Sequence, residues 1–173
     1  MGFLHIYCGD GKGKTTAAMG LAVRAAGAGM RVHIIQLLKG SDTAELSVLR
    51  SIPGITLERC DRNYGFVCNM SAEDKANITK CHDMLLEKGY ALARSGEIDM
   101  LIIDEFNAAY RHGLLDCGSA EKFLTEKPGS TELIITGREP AEIFVNAADY
   151  VSEIKCVKHP YTKGINARRG IEF

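Results

Sequence analysis

An α/β fold with a mostly parallel central sheet is predicted by three observations. Apolar runs rich in branched residues alternate along the chain with segments of helical periodicity. The first run, residues 3–8, opens into Gly9-Asp10-Gly11-Lys12-Gly13-Lys14-Thr15-Thr16 and then into an Ala-rich segment. A later run, residues 98–103, ends in the carboxylate pair Asp104-Glu105. Strand, Gly-rich turn, Lys-Thr and helix form a phosphate-binding loop. An acidic strand end beside such a loop is where Mg²⁺ would be held. The two together specify a P-loop NTPase-like (RecA-like) fold of three layers, with helices on both faces of the sheet.

The elements follow in order. Residues 17–26 form the first helix, and Gly27-Ala28-Gly29 stops it. Residues 31–38 form a second strand, whose nearly unbroken apolar character suits a sheet covered on both faces. Lys39 follows at its C-terminal end, where open α/β sheets bind ligands; it could face an anion or be a solvated loop lysine. Residues 43–51 form a short helix broken by Pro53-Gly54, and residues 55–60 a third strand. Residues 61–70 form a loop carrying Tyr64 and Phe66, which either present a surface to something flat and apolar or plug the loop onto the core. Ser71 caps a long helix running to about Arg94, with Ile78, Cys81, Leu85 and Leu92 on one face. A helical or irregular segment at 106–115 and a short helix at 119–126 follow, then a strand at 131–136 ending in Gly137-Arg138. Arg138 could reach a phosphate or lie on the surface. A helix at 140–148 takes Pro140 in its first turn, a strand spans 150–154, and the tail from Lys155 onward has no clear periodicity.

Composition narrows the function classes. The 173 residues, 46% of them hydrophobic, are enough for one domain spanning 1–173. A net charge of −1 gives no global basic field for nucleic acid. No apolar run is long enough to span a bilayer, and the chain enters its first strand almost at Met1, so neither membrane nor secretory signal is expected. The six cysteines show no C-x-x-C pairing and no accompanying His cluster, which argues against zinc. They are expected to be reduced, mostly buried thiols of a cytoplasmic protein.

The loop has its own chemistry. Its glycines allow a tight curl that points N–H groups at an anion, and the helix adds its positive end there. Lys14 can reach terminal phosphate oxygens and the Thr15 hydroxyl can ligate Mg²⁺. In the common pattern G-x-x-x-x-G-K-[ST] the first glycine would fall on Cys8, so this loop is one residue short and the nucleotide need not lie in the standard pose.

The short loop GDGKGKTTAA resembles that of ATP:cob(I)alamin adenosyltransferases of the P-loop type. So do Gly65-Phe66, residues 101–105, residues 134–138, residues 149–153, Val157-Lys158-His159 and Gly170-Ile171-Glu172-Phe173. The resemblance covers nearly all the chain. It implies transfer of the 5′-deoxyadenosyl group of ATP to cobalt(I) of a corrinoid, with triphosphate leaving intact and ATP lying in a reversed sense. By motif position, Gly9, Asp10, Gly11, Lys12, Gly13, Lys14, Thr15 and Thr16 would cradle the phosphates, with Arg138 beside them. Lys14 and Lys12 would be the catalytic cations neutralising the leaving group. Thr15 and Glu105 would ligate Mg²⁺, with Asp104 behind them. Phe66 and Cys68 would line the corrinoid face.

The resemblance also implies a homodimer, a flavodoxin-like reductase as electron donor, ATP and corrinoid as substrates, and no nucleic-acid or membrane partner. Asp10 stands where the family often has Asn, and Cys68 where well-known members carry Trp. Family members often have an N-terminal extension over the site; without one, closure would come from elsewhere, such as a partner subunit. Two other readings give different products. A P-loop ATPase or kinase would release ADP, and a non-enzymatic relative would bind ATP or corrinoid without turnover.

Overall fold

The computed structural model describes residues 1–39, 44–65 and 67–172. In chain order the elements are β1 (Leu4–Cys8), α1 (Lys14–Gly27), β2 (Val32–Gln36), α2 (Glu45–Ser51), β3 (Ile55–Arg59) and α3 (Ala72–Ser95). There follow β4 (Met100–Asp104), α4 (Phe106–Arg111), α5 (Cys117–Thr125), β5 (Glu132–Thr136), α6 (Glu142–Ala147) and β6 (Tyr150–Glu153). The strands form one 6-stranded sheet in the order β3-β2-β4-β5-β1-β6, and every neighbouring pair is parallel.

Paired branched residues on the central strands explain the layering. Ile34, Ile102 and Ile134 stand in register across β2, β4 and β5, and pack toward Ala18, Met19 and Ala22 of α1 and Leu46 and Leu49 of α2. The next residues, Ile35, Ile103 and Ile135, point to the opposite face, against Leu86 and Tyr90 of α3, Phe106 of α4, Phe123 of α5 and Phe144 of α6. Side chains alternate across a strand, so two apolar residues in succession bind a helical layer on each side. The result is the three-layer architecture expected from the strand–helix alternation.

Three local expectations need correction. The buried stripe of α3 is Ile78, His82, Leu86, Tyr90 and Ala93; Leu85 and Leu92 only flank it, and Cys81 lies at its margin. Pro140 stands outside α6, which begins after an extended Ala141. The cysteines are not all free: Cys60, just beyond β3, and Cys81 on α3 have Cα atoms 6.1 Å apart and form a disulfide, a separation within bridging range. Of the free thiols only Cys8 is buried. Among the described residues no helix is long and apolar enough to cross a membrane.

Parallel strands bring all their C-terminal ends to one edge. The loops after β3, β2, β4, β5, β1 and β6 therefore lie there side by side in that order.

Candidate active site

The phosphate loop is fixed to the strand beside it. The Gly11 N–H donates to the Ile154 carbonyl at 2.8 Å. A Cβ on Gly9 or Gly11 would stand 2.4 or 2.7 Å from that carbonyl oxygen, so glycine is required by the closeness of the neighbouring chain. The Gly11 N–H is thus committed to the neighbouring strand end. Gly13, at φ 121, turns the chain into α1.

The charged loop residues take distinct places. Asp10 accepts the Cys156 N–H at 3.0 Å, which holds its carboxyl below the usual range and draws the tail to the loop. Lys14 donates to the carbonyls of Gly9 and Gly11, both at 2.8 Å. Lys12 and Thr16 are exposed. The Lys12 charge acts on Glu172, whose carboxyl is held at about 2 chiefly by Arg168.

Asp104 is the junction of the site. It is fully buried and ends β4. Its Oδ1 accepts from the Thr15 hydroxyl at 2.9 Å and from the Thr136 hydroxyl at 2.6 Å. Its Oδ2 accepts from the Lys39 ammonium at 2.6 Å. Lys39 also lies 3.2 Å from the Thr15 oxygen. Four elements thus converge on one carboxylate: the start of α1 and the ends of β2, β4 and β5. Lys39, left open between anion contact and solvation, belongs to this cluster.

Glu105 follows in the left-handed region at φ 60, with its N–H on the Thr136 oxygen at 3.0 Å. Strained non-glycine backbone of this kind concentrates at functional sites. Burial, and then the Asp104 charge, push its carboxyl up, against the pull of Lys39, Lys14 and Arg138. Arg138 is exposed at the end of β5, close enough for its charge to act on Glu105 and Asp10.

On the other side lies the loop after β3. Phe66 lies outside the described residues. Cys68 is exposed within a short helical turn, Val67–Asn69. Tyr64 is partly buried against Met70, Ile78 and Leu114, with the Arg62 guanidinium 5.0 Å from its ring centre, so Tyr64 does plug the loop onto the core. Lys39, Arg62, Tyr64 and Gly65 share the lining of one small cavity with Cys60 and His82.

The Gly-rich loop, the carboxylate junction and the separate, partly apolar loop after β3 thus lie along one edge of the sheet. A family model described as ATP:corrinoid adenosyltransferase BtuR/CobO/CobP matches residues 1–173. The chain belongs to the ATP:corrinoid adenosyltransferase family. It is 32% identical to a corrinoid adenosyltransferase of Sinorhizobium, the match covering 99% of this chain and 80% of the relative. The enzymes of that name from Pseudomonas aeruginosa and Escherichia coli are each 31% identical over 99% of the chain, which spans 84% and 86% of their lengths.

Among solved structures the fold resembles the cytoplasmic domain of EssC, with TM-score 0.55 and 17% identity, covering 96% of this chain and 34% of that one. It also resembles a KaiC-like protein of Pyrococcus horikoshii, with TM-score 0.52 and 15% identity, covering 88% and 71%. These two carry the fold alone. Family membership makes the chain an enzyme of ATP-dependent corrinoid adenosylation.

For an adenosyltransferase of this family the sequence motifs bring Thr15, Asp104 and Lys14 together, with Glu105 and Arg138 at the rim. They do not reveal Thr136 or Ile154. Thr136 had a usable signal, a hydroxyl at the end of an apolar strand next to the acidic one. Ile154 acts through its backbone, which leaves no residue signature.

Proposed function

We propose that the chain transfers the 5′-deoxyadenosyl group of ATP to cobalt(I) of a corrinoid and releases triphosphate intact. The observation that carries the reading is the Thr15–Asp104 bond at 2.9 Å, which joins phosphate loop and acidic strand end, with β2 alone between that strand and the one leading into the partly apolar loop after β3. Gly9 to Thr16 cradle the triphosphate. Lys14, with Lys12 and Arg138 at the rim, neutralises it. The loop after β3, with Phe66 and Cys68, faces the corrinoid. Cobalt is itself the nucleophile, so no side chain need attack.

Mg²⁺ suits these residues. Thr15, Asp104 and Glu105 offer hard oxygen donors, and the Lys39 ammonium against Thr15 and Asp104 supports a place for positive charge there. Among the described residues no three His, Cys, Asp or Glu side chains converge as a ready metal cage. That fits an ion held by one or two side chains together with phosphate oxygens. When bound, Mg²⁺ would spread the charge of the phosphates. Asp104 already accepts from Thr15, Thr136 and Lys39, which suits it to stand behind the ion and orient Thr15, while Thr15 and Glu105 would ligate the metal.

We read residues 1–173 as one domain that acts as a cytoplasmic homodimer, supplied with electrons by a flavodoxin-like reductase. Exposed Val157, Tyr161 and Ile171 in the tail support a partner surface.

The test is an anaerobic reaction with chemically reduced cobalamin, ATP and Mg²⁺. Loss of the cobalt(I) absorbance with adenosylcobalamin and triphosphate appearing together is the expected result. ADP and phosphate without a cobalt–carbon bond would indicate a P-loop ATPase instead. ATP binding with neither product would indicate a non-enzymatic relative.

A further inference from the structure

We propose that Lys39 serves the leaving oxygen: its ammonium contacts the α-phosphate of ATP and stabilises the charge that grows there as the bond to C5′ breaks. This rests on the adenosyl-transfer reading above.

The reaction defines where such a cation must be. Cobalt(I) supplies both electrons of the new cobalt–carbon bond. The C5′–O bond breaks, and its electron pair stays on the oxygen of the α-phosphate. Cobalt is formally oxidised from +1 to +3, C5′ is correspondingly reduced, and triphosphate departs as the anion with no proton transferred. Charge therefore increases at the α-phosphate, the end of the triphosphate that faces the corrinoid. A stabilising group gains most when it is already in place beside that developing charge.

Sheet order puts Lys39 between the two substrates. Along the C-terminal edge come the loop after β3, then Lys39 after β2, then Asp104 at the end of β4, with the phosphate loop farther on after β1. The contacts agree. Lys39 lies 2.6 Å from Asp104 and 3.2 Å from Thr15 on the phosphate side, and lines a cavity with Tyr64 and Gly65 on the other. Its side chain is only 21% exposed, so its charge acts through little water.

The neighbouring cations are differently engaged. Lys14 donates to carbonyls of its own loop, and Arg62 is paired with Asp74 at 3.3 Å and lies over Tyr64.

The backbone also holds Lys39 in position. Leu38 is left-handed at φ 57, and its N–H donates to His82 Nε2 at 3.3 Å. His82 Nδ1 in turn donates to the Leu114 carbonyl at 2.7 Å. A lysine whose stem begins at a pinned residue has less freedom to lose on reaching its target.

The test uses the full-length chain with Lys39→Ala and with Lys39→Met, which keeps the stem in the half-buried channel and guards against a folding loss. Turnover with cob(I)alamin is measured anaerobically. ATP and corrinoid affinities are measured by equilibrium dialysis without reductant, so that no reaction occurs. We expect turnover to fall about 100-fold or more, as when a developing-charge donor is lost, while both affinities stay within about threefold. Ethylammonium should restore part of the turnover of Lys39→Ala and leave the wild type unchanged.

Unchanged turnover in both variants would overturn the proposal. So would a loss of ATP affinity as large as the loss of kcat/KM, which would make Lys39 an ordinary phosphate clamp. If the wild type itself makes ADP or no cobalt–carbon bond, the adenosyl-transfer reading falls first, and the role of Lys39 with it.

Discussion

At the ends of β1, β4 and β5 the site is held by contacts among the reacting residues themselves. Thr15 and Thr136 converge on Asp104, Lys14 folds onto Gly9 and Gly11, and Ile154 is clamped against the loop backbone. At the ends of β2 and β3 the site is held from behind, by one helix. Two successive residues of α3 do this: Cys81 is bonded to Cys60 at the start of the loop after β3, and His82 holds Leu38 just before Lys39. The proposed nucleotide side is tied together by the side chains that would meet the phosphates. The proposed corrinoid side is tied down by Cys81 and His82, which stand behind the loop. The first should lose function before stability when disturbed, and the second should lose order or stability along with function.

Lys14→Ala is the strongest test of the nucleotide side. Its hydrogen bonds are to the carbonyls of half-buried Gly9 and buried Gly11, so their loss should cost about 1–3 kcal/mol of stability. Removal of a charge that neutralises the leaving group should lower turnover about 1,000-fold. Turnover in the anaerobic assay and a urea titration of the same preparation measure both effects. Wild-type turnover, or a collapse of stability matching the loss of activity, would break the contrast between the two sides.

The disulfide tests the other side. The cysteines are 21 residues apart in sequence, and a closed loop of that length restricts the unfolded chain by about 3 kcal/mol. Dithiothreitol should lower the wild-type urea midpoint accordingly and leave a Cys60→Ser/Cys81→Ser variant unaffected. The same treatment should increase amide exchange in residues 61–65 more than at Gly11. In a reducing cytoplasm the pair would be present as thiols, leaving His82, the Arg62–Asp74 pair and Tyr64 against Ile78 as the remaining ties. If thiol titration finds all six cysteines free in oxidised protein, the loop after β3 depends on these non-covalent ties from the outset.

The asymmetry also explains what could be read from the chain. The phosphate loop and Asp104-Glu105 are contiguous motifs, and the strands are continuous apolar runs, so order, type and layer of most elements followed from local pattern. Boundaries shifted by a residue or two where strands meet loops, as at β2 and β4. What remained hidden depends on distant partners. Cys60–Cys81 needs the register between β3 and α3. His82 lies on an apolar stripe where periodicity alone suggested Cys81 and Leu85. Lys39 was indistinguishable from a surface lysine until β2 and β4 were neighbours. Asp10, standing where the family often has Asn, holds the Cys156 N–H, a contact 146 residues away in sequence.

The smallest effect concerns pH, and it separates the two sides most directly. Burial holds the His82 ring, and that of His33, below the ordinary value of 6.5. Below 6.5 the unfolded chain takes up protons that the native rings do not, so stability falls as pH drops toward the native values. Above 6.5 both states are neutral at these rings and the dependence vanishes. Each ring contributes up to about 1.4 kcal/mol per pH unit within that window. His82→Gln keeps hydrogen-bonding groups and removes one titration, so its urea midpoint should fall less steeply than the wild type between pH 6.5 and pH 5.5. Over the same interval the wild-type Leu38 amide should lose exchange protection while the Gly11 amide, held by Ile154, keeps its own. Equal loss at both amides would mean that acid opens the whole edge of the sheet together, and that α3 is not a separate support for the corrinoid side.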